Sequence, residues 1–126
     1  MKLILFSGTH PRHLFVNREL LKYFSETLVI AMKREPLLPD PPQELTNHDK
    51  ELFIKHFKNR NIIESKLYGN LKCKKIYENC NVIYTEPQEL NTEKISKKIK
   101  KFNPDFCFIF GVGIITDPII KEFPKD

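Results

Sequence analysis

Two stretches of this 126-residue chain bring together residue types that can hold a ligand. The first, Ser7-Gly8-Thr9-His10-Pro11-Arg12-His13, supplies hydroxyls, a guanidinium, two imidazoles and a glycine. Free amides at a helix N-terminus, together with such side chains, suit a phosphate or carboxylate. Ser7, Gly8, Thr9, His10 and Arg12 are the candidates for contacting a substrate, and His10 or His13 is the only candidate base. The second stretch, Gly111-Val112-Gly113-Ile114-Ile115-Thr116, is apolar and lined by glycine. It suits a flat heterocycle approached by main-chain amides and carbonyls, because glycine lets a ligand come close to the backbone.

Elements must place these two stretches. Lys2–Phe6 is a short apolar run that stops at Ser7-Gly8, the pattern of a buried strand. Pro11 fits the first turn of a helix capped by Thr9 or His10, with Leu14, Leu21 and Phe24 on its inner side. Thr27–Met32 reads as a second buried strand. Four prolines between Pro36 and Pro42 make Lys33–Glu44 a surface loop. Thr46 and Asp49, at capping-box spacing, open a long helix that Gly69 closes, with Phe53, Phe57, Ile63 and Leu67 predicted as its buried side. Asn81–Tyr84 is a weaker third strand. Asn91 is the expected cap of an amphipathic helix with Ile95, Ile99 and Phe102 on one face, ended by Pro104. Asp105–Phe110 is a fourth strand, read as buried on both faces, and a short helix starts at Pro118.

Strands that alternate with helices, and that carry apolar runs, predict an open, mostly parallel, doubly wound α/β sheet with helices on both faces. Its strand order would be 3-2-1-4, in one domain spanning residues 1–126. Strands one and four are then neighbours where the winding reverses, and ligands bind outside their carboxyl ends. Both glycine-bearing stretches would face that crevice.

Composition narrows the classes. The net charge is +5, yet the lysines are scattered, and the run Lys94–Lys101 has no aromatic interleaving for base stacking. That run reads as a solvated helix face, which argues against nucleic acid. Cys73, Cys80 and Cys107 lack metal-ligand spacing, so no metal is expected, and with no signal peptide they suggest the reducing cytoplasm. Met1–Phe6 is too short for a signal or membrane segment. No GK[ST] or G-x-G-x-x-G is present, and Glu35 is a weak candidate for a ribose-binding acid.

Lys2–Thr9 (KLILFSGT) and Asn103–Ile120 (NPDFCFIFGVGIITDPII) resemble the folate-dependent formyltransferases, which include the glycinamide ribonucleotide, methionyl-tRNA and sugar N-formyltransferases. The resemblance implies a Rossmann-like domain that takes part in formyl transfer from 10-formyltetrahydrofolate to a small-molecule amine, phosphate- or sugar-bearing. Ser7, Gly8, Thr9, His10 and Arg12 would face the acceptor, and Gly111, Val112, Gly113, Ile114 and Ile115 would line the pterin pocket. The ribonucleotide enzyme has Gly-Ser-Asn in its first loop, where this chain has His-Pro-Arg-His, which counts against a ribonucleotide acceptor. The family's catalytic Asn, His and Asp fall on elements with no counterpart here, so residues 1–126 are expected to be an incomplete fragment, inactive alone. Two other readings stay open: a non-catalytic module for a phosphate-bearing molecule or nucleotide, and a homodimer formed through the Asp105–Phe110 edge.

Overall fold

The computed structural model describes residues 1–33 and 36–125. It contains one four-stranded sheet of order β3-β2-β1-β4, formed by β1 (Lys2–Gly8), β2 (Glu26–Met32), β3 (Asn81–Thr85) and β4 (Phe106–Phe110). Every pairing is parallel, with Leu3 opposite both Thr27 and Phe106, and Leu28 opposite Asn81. The expected order and the Rossmann-like class hold. Glu35 lies outside the described residues.

The alternation of side chains along β1 and β2 divides the core in two. Ile4, Phe6, Leu28, Ile30 and Met32 pack with Leu90, with Ile95 and Ile99 of α4 (Glu93–Phe102), and with Ile119 of α5 (Asp117–Ile120). Leu3, Leu5, Val29 and Ala31 face the other way, onto Leu14 of α1 (Pro11–Leu20) and Tyr77, which follows α3 (Cys73–Ile76). Helices therefore cover both faces. Cys107 packs half-buried against the first cluster, and burial pushes its thiol up to about 11.

Three expectations are corrected. The helix α2 (Asn47–Tyr68) is capped by Thr46 as read, but none of its residues is buried; Ile63 and Leu67 are exposed and Phe53 and Phe57 half-buried. It docks on α1 through mixed contacts instead of an apolar stripe: Arg12 to Glu64 at 3.1 Å, and the Phe15 ring against Tyr68 at 4.9 Å. The residue at the cap position of α4 is Thr92, whose side chain makes no cap hydrogen bond, and the Asn91 side chain is used elsewhere. Finally, β4 is not buried on both faces: at the edge position that the expected strand order gives it, Phe106 and Ile109 stay 48% and 46% exposed.

The contrast between α4 and α2 gives a test. Ile99→Ala, at a fully buried position, should cost about 2–5 kcal/mol in urea unfolding. Leu67→Ala should change stability by less than about 0.5 kcal/mol. Equal costs would mean that α2 is packed into a core.

Candidate functional crevice

The carboxyl ends of β1 and β4 meet as expected, and His13 explains how. A Cβ on Gly8 would stand 2.5 Å from the Gly111 carbonyl oxygen and 2.5 Å from His13 Cε1. A Cβ on Gly111 would meet the same Cε1 at 2.5 Å, and Gly111 also has φ +74°, a conformation that L side chains rarely adopt. Both glycines thus make room for one imidazole. His13 itself is 2% exposed. Its Nδ1 accepts the His10 backbone N–H at 3.3 Å, which caps the start of α1. Its ring stacks on His10 at 5.4 Å and meets the edge of Phe110 at 5.0 Å.

Beneath the Gly8 turn lies a buried polar chain. Asn17 Nδ2 donates to Ser7 Oγ and to Tyr77 Oη, both at 2.6 Å, and Ser7 Oγ donates to the Gly8 carbonyl at 2.9 Å. Burial pushes the Tyr77 phenol up to about 12, although Asn17 and Ser7 pull it back. The side chains of Ser7, His10 and His13 therefore sit within the protein, under the crevice. Thr9 remains at its surface. Arg12 is turned away to α2, where its guanidinium spans both carboxylate oxygens of Glu64 at 3.1 and 3.2 Å. The sequence groups these residues by spacing, but alternation along β1 and the turn of α1 send them in different directions.

Residues 111–116 are held from both sides. Val112 and Ile115 pack onto the α4–α5 face of the core. Asn91 braces the far side: its Nδ2 donates to the Ile114 carbonyl and its Oδ1 accepts the Thr116 N–H, each at 2.8 Å. Between these anchors Gly113 is exposed, its nearest neighbour being Met32 Sδ, 4.0 Å from where a Cβ would be. Ile114 stands 85% exposed. Of the five residues expected to line a heterocycle pocket, Val112 and Ile115 pack half-buried against the core, and only Gly113 and Ile114 are exposed.

A hollow of about 360 Å3 opens at the carboxyl ends of β1, β2 and β3, lined by Thr9, Ala31, Lys33, Tyr84, Thr85, Glu86 and Glu89. Lys33 Nζ lies 3.7 Å from a Glu86 oxygen, and Glu89 accepts the Glu86 N–H at 3.1 Å. The Thr85 hydroxyl is buried there without a hydrogen-bond partner among the described residues. Apart from Thr9, sequence reasoning missed this group. The signal was present in Glu86-Pro-Gln-Glu89, two carboxylates directly after a strand. Among the described residues no group of three or more His, Cys, Asp or Glu could hold a metal ion. No helix among them is long and apolar enough to cross a membrane.

No family model, curated protein or solved structure matches the chain. The functional reading therefore rests on the geometry of this crevice.

Two tests follow. Gly111→Ala should be strongly destabilising, by more than about 2 kcal/mol in urea unfolding, because it combines strained φ with a clash against His13. Gly113→Ala should fold with nearly unchanged stability. Tyr77 gives a pH signature, since its folded value of about 12 lies above the ordinary tyrosine value of about 10. Its contribution is complete below pH ~10 and is lost as pH rises toward ~12, amounting to about 3 kcal/mol. Comparing the alkaline unfolding of wild type with that of Tyr77→Phe isolates this part; identical slopes would refute it.

Proposed function

We propose that this domain binds 10-formyltetrahydrofolate by its heterocycle against the Gly111–Ile115 turn, as the substrate-binding domain of a formyltransferase that acts on a small amine. One observation supports this reading above the others. The turns after β1 and β4 abut at the winding reversal, and the second presents an exposed glycine between two rigid anchors. Neither Val112 nor Gly113 uses its main-chain amide or carbonyl within the protein among the described residues. A flat heterocycle with alternating donors and acceptors matches such an edge, and Ile114 supplies an apolar cover that is solvent-exposed without it.

The acceptor would enter along the hollow between Thr9 and Glu86. Arg12 is spent on Glu64, so it does not hold an acceptor phosphate. Formyl transfer passes through a tetrahedral oxyanion and requires a base for the amine proton. The buried Ser7, His10 and His13 side chains do not reach out to serve either need. In this reading residues 1–126 contribute binding and not turnover.

A stable formyl-folate analogue, titrated into isotope-labelled protein, should shift the amides of Val112, Gly113 and Ile114. Ile114→Ala should weaken binding by about tenfold, consistent with burying a large part of one aliphatic side chain. Indifference at millimolar analogue sinks the reading.

A further inference from the structure

The two edges of the sheet are built differently. The β3 edge carries Asn81, Tyr84 and Thr85 among its five residues, with Asn81 and Tyr84 exposed, and Lys98 and Lys101 border the groove beside it. The β4 edge has none of this. Residues 106–116 contain no charged side chain, in a chain where 29% of residues are charged, so an uncharged run of this length needs a reason. Charges, prolines and bulges are the usual means of keeping an edge strand single, and β4 has no charge or proline within it.

Its exposed groups also say what shape would cover it. Phe106 pairs in register with Leu3 and leans on Phe24 at 5.7 Å, on the α1 face of the sheet. Ile109 pairs with Phe6, which belongs to the α4 face. The uncovered apolar surface thus lies on both faces of one edge, at 48% and 46% exposure. A helix laid on one face would leave the other open. A strand that continues the sheet covers both.

The sequence of β4 points to which strand. Phe106-Cys107-Phe108-Ile109-Phe110 reads almost alike in both directions. Antiparallel pairing with its own copy, about a two-fold axis normal to the sheet, puts Phe108 opposite Phe108, Phe106 opposite Phe110 and Cys107 opposite Ile109. Each pair falls on one face, so three phenylalanines from each copy form a single aromatic row across the seam. No charge opposes a like charge. We propose that β4 is the self-association edge of this protein, joining the four strands of each copy into one continuous sheet. The two crevices then lie at opposite ends of the seam and remain open. This inference does not rest on the folate reading.

Sedimentation of the reduced protein over a range of concentrations should show a monomer–dimer equilibrium. Ile109→Lys, at a half-exposed site, should keep the circular dichroism of the parent and raise the dimer dissociation constant by more than about tenfold. A mixed sample of labelled and unlabelled wild-type chains should give intermolecular contacts between Phe106 and Phe110 and between the two Phe108 rings, a readout that stands even if the variant fails to fold. A monomer at every concentration overturns the proposal. So does a dimer untouched by Ile109→Lys, or one whose contacts run through Ile62, Ile63 and Leu67 of α2.

Discussion

One imidazole organises the functional end of this molecule. His13 fills the space that side chains on Gly8 and Gly111 would take, and so allows the turns after β1 and β4 to close on each other. The same ring caps the helix that follows the first turn and abuts Phe110, the last residue of β4. A residue placed for its bulk and its one acceptor nitrogen therefore links strand pairing, helix initiation and the shape of the crevice. Replacing either glycine disturbs all three at once, because the ring has no free side to retreat to.

The sheet was legible because its signals are local and strong. β1 and β2 carry unbroken apolar runs at residues 3–6 and 28–32, the mark of strands covered on both faces, and they are indeed the buried centre. The position of the two glycine turns followed from winding order alone. What failed to show was partner choice. In α2 the apolar residues Ile63 and Leu67 sit outside, while the face toward α1 carries Arg60, Asn61, Glu64 and Tyr68. Periodicity finds an apolar face but not whether anything lies against it; here an ion pair with Arg12 fixes the docking. Asn91 illustrates the same limit. Its amide can cap a helix or brace a neighbouring loop; here it braces the loop, and Thr92 holds the cap position with its hydroxyl donated to the Glu89 carbonyl. Likewise Ser7, His10 and Arg12 share a stretch of sequence but not a direction, since successive strand and helix positions point apart.

Rigidity in the second turn has an energetic consequence. Val112 and Ile115 pack half-buried against the core, Asn91 holds two main-chain groups, and Gly111 takes its positive φ against the His13 ring. Only Gly113 and Ile114 are left outward. A ligand meeting this segment orders little further backbone, and the loss of conformational freedom that usually opposes binding is correspondingly small. The hollow beside it differs, because its charged groups are exposed: Lys33 pairs with Glu86 where solvent screens them, and Glu89 accepts the Glu86 N–H. Shape thus dominates on one side of the crevice and polarity on the other.

The crevice and the bare edge share β4, and this ties them physically. Phe110 touches His13, so the carboxyl end of the edge strand also forms part of the support for the glycine turns. Any strand that pairs with β4 takes up amides and carbonyls along its outer side and damps its fraying, in the same strand whose last residue abuts His13. Covering the edge should therefore stiffen the crevice without touching it. The side of the sheet that best suits association is also the side on which association can be felt at the site.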